Sequence, residues 1–359
     1  MDGCEPIYAG RSHLISGGSV SIKPFFNLMR NGHLAAFAGS SGLLKPFYRL
    51  VYLVAAQETG LFELLRDGPV GFEQLVAAYC RDGGARGALE AWLQLGVRLG
   101  LLKLGPVGFE LKGLAKKLAQ PQNDSIVALL QEAAGLHYKL ILDTPGKLRK
   151  GELWTLADQD GEIIARSSRV MEAFQTEAID STFPAAGPVR LLEIGCGSGF
   201  YIKFAAAKNP SLSALALELQ ENVAVVARRN IEGWGLQDRV RIETGDIRSK
   251  APDERFDIAT LYNNIYYFPV EERVSLLRHI REFIQPGGFL LLTTCCQGGS
   301  LVVEVLNLWG AATANCGRLP TANELVSQLQ QAGFEDVQAI RLIPGEAFFS
   351  FKAHRGRAA

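Results

Sequence analysis

The sequence predicts a two-part α/β protein: a mainly helical N-terminal half followed by a doubly wound, mostly parallel sheet. Two observations carry that expectation. From Pro46 onward apolar residues recur at helical spacing. Beyond the Pro/Gly-rich stretch Phe183-Pro-Ala-Ala-Gly-Pro188, short apolar runs alternate with helical segments, the pattern of strands joined by crossover helices. The domain boundary is placed there, giving residues 1–185 and residues 186–359. A chain of 359 residues also exceeds the length at which single cores usually stop growing.

In the first part, Ser16-Gly-Gly-Ser19 and Gly39-Ser-Ser-Gly42 read as loops around one amphipathic piece, residues 25–37. Leu50, Leu53, Val54, Leu61, Leu64 and Leu65 then mark helices interrupted at Gly60. Helices over 71–80 and 86–99 and two short strands within 101–111 complete three helices and a hairpin, a winged-helix-like order. The third helix argues against DNA reading: Leu89, Glu90, Trp92, Leu93, Leu95 and Val97 dominate it, where base edges and phosphates demand Arg, Lys, Asn or Gln. Helical patterns continue over 125–142 and 163–179. After the boundary, strands are expected at 189–194, 213–217, 240–243, 256–261 and 289–294.

Composition narrows the function. Apolar residues are 48% and charged residues 21%, enough for buried cores. Thirty-seven basic and thirty-seven acidic residues cancel, so no global field recruits nucleic acid or an anionic membrane, and a small-molecule partner fits better. No secretory segment is read at the acidic N-terminus, and the apolar runs are strand-length, which predicts a cytoplasmic protein with no membrane span. Six scattered cysteines without C-x-x-C spacing, and no His/Asp/Glu cluster at ligand spacing, predict free thiols and no metal.

In an open α/β sheet the ligand lies at the carboxyl ends of the strands, so the loops there carry the argument. The first is Gly195-Cys-Gly-Ser-Gly199, whose glycines allow a tight turn and close approach to a ligand at the N-terminus of the next helix. Position 200 is Phe, so the dinucleotide fingerprint G-x-G-x-x-G lacks its last glycine. Glu218 ends the second strand, where a carboxylate can accept from both ribose hydroxyls. Thr244-Gly-Asp-Ile247 ends the third, offering Asp246 to an adenine amine beside apolar Ile247.

With Gln285-Pro-Gly-Gly288 before the fifth strand, these motifs resemble the class I S-adenosylmethionine-dependent methyltransferases over residues 186–355. The N-terminal organisation is similar to the dimerisation region of small-molecule O-methyltransferases and related C-methyltransferases. The resemblance implies a Rossmann-like seven-stranded sheet, a homodimer, and S-adenosylmethionine as donor with S-adenosylhomocysteine as product. It assigns Glu193, Gly195, Gly197 and Gly199 to the methionine and ribose part, Glu218 to ribose, Asp246 and Ile247 to adenine, and Asn263 to the methionine end.

The implied reaction is methylation of a small, partly apolar metabolite, on oxygen by preference over carbon or nitrogen. Many O-methylating relatives carry a basic histidine shortly after the fourth strand. Here that stretch reads Leu261-Tyr-Asn-Asn-Ile-Tyr-Tyr-Phe-Pro269, and the later His279 reads as structural. His137, in a helix expected to close the pocket, becomes the candidate base, with Asn264 and Tyr267 as further catalytic candidates. Tyr138, Met171, Phe174, Tyr266 and Trp309 are candidate acceptor contacts. The alternatives are a methyltransferase-like ligand sensor linked to DNA, prompted by the winged-helix-like half and the missing histidine, and a nicotinamide-dependent dehydrogenase, opposed by Phe200 and the Gly245-Asp246 element.

Overall fold

The computed structural model describes residues 23–81 and 84–357. Backbone contacts group the chain into a unit of residues 1–52 and a unit of residues 53–359. In the first, the described residues form the helix Lys23–Arg30 and the start of a long helix, His33–Glu58, with Gly32 at φ 69° between them. Ser16-Gly-Gly-Ser19 lies outside the described residues.

Two expectations are corrected here. Gly39-Ser-Ser-Gly42 is helical rather than a loop, and Pro46 is inside the same helix rather than near its start. Each interior glycine costs only about 1 kcal/mol relative to alanine, and helix propagation from good formers on both sides carries the segment through.

In the second unit, the helices Leu61–Leu65, Phe72–Tyr79 and Arg86–Arg98 precede an antiparallel hairpin of β1 (Leu102–Leu104) and β2 (Phe109–Leu111). Leu75, Leu93 and Leu102 from these elements are fully buried, as is Leu101 just before β1. The helix Asp124–Glu132 then runs through a π-helical turn, Ala133–His137, into the helix Tyr138–Arg149. A second helical stretch is broken by a 3-10 turn, Ser168–Met171, between Gly161–Ser167 and Glu172–Thr182. Sequence periodicity predicts both stretches as plain helices, because a one-turn change of winding leaves the apolar spacing nearly intact.

The sheet contains β3 (Val189–Ile194), β4 (Leu212–Glu218), β5 (Val240–Thr244), β6 (Phe256–Tyr262), β7 (Ile284–Cys295), β8 (Glu335–Arg341) and β9 (Phe348–His354). Their order is β5-β4-β3-β6-β7-β9-β8, with the first five parallel and β9 antiparallel to both neighbours. The parallel strands read as near-continuous apolar runs because helices cover both faces. Leu192 and Ile194 enter one core, while Val189 and Leu191 enter the other, as strand alternation requires. The chain order reverses between β3 and β6, which opens a crevice at their carboxyl ends. Among the described residues no helix is long and apolar enough to cross a membrane.

Candidate active site

The loop after β3 is built around its neighbours' backbone. Gly195 and Cys196 both donate their N–H groups to the Leu217 carbonyl, at 2.8 and 3.0 Å, which turns the chain sharply off the strand. Gly195, Gly197 and Gly199 all have φ between 54° and 78°, where a Cβ is strained. At Gly195 space forbids one as well, since a Cβ would sit 2.5 Å from Asn264 Nδ2. At Gly197 a Cβ would meet nothing within 4 Å, so that backbone borders open cleft.

Glu218 closes the far side of this loop. Its carboxylate accepts from the Gly197 N–H at 2.9 Å and the Gln220 N–H at 3.1 Å. Each oxygen keeps acceptor capacity beyond its single backbone donor. From the other side, Asn264 donates its amide to the Ile194 carbonyl at 2.7 Å, and its buried Oδ1 has no partner.

Glu193, one turn of the pleat below the loop, is 2% exposed, and burial pushes its carboxyl up to about 8. It shares its surroundings with Tyr201 and Tyr262, whose rings meet edge to face at 5.3 Å. Asn263 adopts φ 52° and lines the cleft.

Farther along the cleft, Asp246 accepts from the Arg248 N–H at 2.9 Å and from its guanidinium at 2.7 Å. Burial alone raises the Asp246 pKa, but these bonds outweigh it and hold the carboxyl below its usual range. Arg248, itself 5.5 Å above the Phe268 ring, went unrecognised in the sequence because nothing local marks it as a partner of Asp246. Ile247 is buried beside them and lines the same cleft. The His279 Nε2–H donates to the Ile247 and Lys250 carbonyls at 2.9 and 3.0 Å, which fixes this loop from behind.

The cleft thus gathers Gly195, Gly197, Glu218, Asp246 with Ile247, and Asn263 in its lining, while Gly199 faces the Ile231 and Trp234 side chains behind the loop. Open glycine backbone, a strand-end carboxylate with spare acceptor capacity and a buried orphan amide oxygen fit a ligand bearing ribose hydroxyls and an amino acid end. S-adenosylmethionine has that donor and acceptor set.

A second cavity shares Gln159, Ile164, Ser168, Asn263, Tyr266 and Tyr267 with the first. Its remaining wall is largely apolar and includes Met171, Val303, Leu306 and Trp309. Tyr266 and Tyr267 lie with ring centroids 4.8 Å apart, and burial pushes the Tyr267 hydroxyl up to about 12, so both stay protonated donors. The Trp309 indole Nε1 is buried without a hydrogen-bond partner. His137 lines this cavity with its Nε2 3.0 Å from Glu132 Oε1.

Two of the expected acceptor contacts are not brought in. Tyr138, one residue beyond His137, is rotated by about 100° around the helix and is 50% exposed. Phe174 packs against the core formed by Tyr266, Cys295, Val303, Leu319 and Phe348 instead of lining either cavity. Conversely, Glu132, Glu346, Ile164 and Leu306 went unnoticed in the sequence. They come from four segments that only the fold gathers. Among the described residues no group of three or more His, Cys, Asp or Glu is arranged to hold a metal.

Comparison with known proteins agrees with this geometry. Residues 192–290 match the family model of a methyltransferase domain. Demethylspheroidene O-methyltransferase of Cereibacter sphaeroides is 25% identical over 326 residues, which cover 84% of this chain and 82% of the relative. Mitomycin biosynthesis 6-O-methyltransferase of Streptomyces lavendulae is 26% identical over 266 residues, or 70% of this chain and 75% of that one. In fold, the mitomycin 7-O-methyltransferase MmcR superposes with a TM-score of 0.75 at 19% identity, covering 91% of this chain and 100% of that chain. With a methyltransferase domain matched over residues 192–290 and O-methyltransferases aligned along most of its length, the chain is an S-adenosylmethionine-dependent methyltransferase that resembles the small-molecule O-methylating members of class I.

Proposed function

We propose that this methyltransferase places the methyl group of S-adenosylmethionine on a hydroxyl of a small, partly apolar metabolite. One observation carries this reading: Asn263, Tyr266 and Tyr267 line both the cofactor cleft and a second, largely apolar cavity, so donor and acceptor meet at one wall. The O-methyltransferase names of the two aligned relatives support oxygen as the acceptor atom over carbon or nitrogen.

In this reading Gly195, Gly197 and Asn263 hold the methionine and ribose part with Glu193 and Gly199 shaping the loop behind them, Glu218 holds the ribose hydroxyls, and Asp246 with Ile247 the adenine. The sulfonium supplies an already activated methyl group. The chain's own contribution is to align the acceptor and exclude water, and positioning of this kind provides roughly 7 to 11 kcal/mol. Asn264 acts mainly through the loop it braces, while the Tyr266 and Tyr267 hydroxyls orient the acceptor. Met171 and Trp309 shape the apolar side of its cavity.

Incubation with methyl-labelled cofactor and a panel of uncharged phenols and alcohols together with amines and carbon acids tests the reading. Label transferred to hydroxyl compounds supports it, whereas transfer confined to amines or carbon acids overturns it. We further propose residues 1–185 as a winged-helix-like dimerisation and capping domain and residues 186–359 as the cofactor domain. Light scattering at twice the monomer mass is expected, and monomer mass at all concentrations overturns the dimer.

A further inference from the structure

The helix that walls the acceptor cavity changes its winding at one place, and the change has a chemical consequence. Residues five apart on an unbroken α-helix point about 140° away from each other. The π-helical turn Ala133–His137 widens the helix there, and π-turns of this kind occur frequently at functional sites. Across it Glu132 and His137 come to the same face, with Nε2 3.0 Å from Oε1 and both side chains about 12–13% exposed. Both line the acceptor cavity. The Nε2–H is assigned to the carboxylate by this contact, which leaves Nδ1 as the nitrogen with a free lone pair.

The surroundings define what such a pair can serve. On its own helix the pair is Glu132 with His137. The loop after β6 adds the Tyr266 and Tyr267 hydroxyls, β7 adds the Cys295 thiol, and the β8–β9 connection adds Glu346. Burial pushes Cys295 up to about 12 and raises both tyrosines, so none of these three competes as a base near neutrality. The Glu346 carboxylate is already engaged by the Ser300 and Ala347 N–H groups, both at 2.8 Å. No Lys or Arg lines the cavity among the described residues. A carboxylate, sulfate or phosphate on the acceptor therefore finds no counter-charge and faces two acidic side chains.

We propose that Glu132 and His137 form the proton-accepting pair for an uncharged, apolar acceptor carrying a phenolic or enolic hydroxyl. The assignment rests on the O-methylation reading above. As the acceptor oxygen forms its bond to the methyl carbon, the carbon–sulfur bond breaks and its electron pair stays on sulfur, giving the thioether product. The hydroxyl proton passes to His137 Nδ1, and the resulting imidazolium is held by the Glu132 carboxylate until the proton leaves to solvent. His137 is the catalytic residue, and Glu132 is a positioning residue that sets its tautomer.

The test uses the full-length enzyme and the best-methylated phenol from an uncharged phenol panel, compared with a ring-nitro derivative of the same phenol that is already ionised at neutral pH. H137Q is expected to lower kcat on the parent phenol by about 10²-fold or more, with S-adenosylhomocysteine affinity by calorimetry unchanged. The loss should shrink as pH is raised toward the phenol's own ionisation, and should be largely absent with the nitro derivative. E132Q should show a smaller loss of the same pH form, with E132D partly restoring the rate. Equal loss on both phenols, or H137Q activity within about threefold of wild type, overturns the pair while leaving the O-methylation reading intact. Transfer to none of the phenols overturns the acceptor class and the pair, while transfer to other hydroxyl compounds in that case preserves the broader reading.

Discussion

The Gly197 N–H donates to the Glu218 carboxylate at 2.9 Å, so the acid that ends β4 holds the tip of the glycine loop that follows β3. Removing this side chain deprives the loop of a brace and, in the proposed cofactor site, the ribose of a charged acceptor in one step. A hydrogen bond to a charged group contributes about 1.5–3 kcal/mol. Glu218→Ala is therefore expected to weaken S-adenosylhomocysteine binding by about tenfold or more in a calorimetric titration. Unchanged affinity would remove Glu218 from the cofactor site.

The Asn264 amide fills the space that a side chain at position 195 would need. A Gly195→Ala change forces a Cβ to within 2.5 Å of Asn264 Nδ2 at a backbone φ of 70°, so it should both destabilise the fold and weaken cofactor binding. Shortening the partner relieves the clash but not the backbone strain, which costs about 1–2 kcal/mol. The double variant with Asn264→Ala should therefore lose less stability than the sum of the single variants. Strict additivity in thermal unfolding would show that the contact does not limit the loop.

Glu193 makes stability depend on pH in an unusual direction for a carboxyl. Its folded pKa, about 8, lies above the ordinary value of 4.5, so the native state holds a proton that the unfolded chain has released. Stability from this group is therefore greatest below pH 4.5 and declines as pH rises toward 8, where the buried carboxyl must ionise. Glu193→Gln, which cannot ionise, should flatten the fall in melting temperature of the ligand-free protein between pH 6 and pH 9. A parallel fall in both proteins would place the proton loss elsewhere.

Arg273 is fully buried and ties two segments together behind the acceptor cavity, donating to the Phe268 carbonyl at 3.2 Å and the Arg318 carbonyl at 2.7 Å. Burial lowers its pKa to about 10, so the guanidinium stays charged through the neutral range. Arg273→Leu leaves both carbonyls without this donor, at a cost of about 1–3 kcal/mol each where they stay dry. The expected result is a lower melting temperature with a raised KM for the acceptor and little change in cofactor affinity. An unchanged KM in a folded variant would show that the Tyr266–Phe268 loop does not depend on this clamp.

That Gly195, Glu218 and Asp246 line one cleft was legible in the sequence because each is local to a strand end, and parallel strands deliver their carboxyl ends to one edge, so consecutive motifs become neighbours without knowledge of side-chain packing. The alternation of apolar runs and helices likewise carried the sheet. The second cavity depended on tertiary structure: Glu132, Ile164, Leu306 and Glu346 come from separate segments, and no spacing relates them to one another or to Met171 and Tyr266, which the sequence had singled out. Periodicity placed Tyr138 and Phe174 on the right helices but could not say which face turns inward. It also could not reveal that Glu132 and His137 meet, because that contact exists only through a π-turn whose extra residue leaves the surrounding apolar pattern almost unchanged.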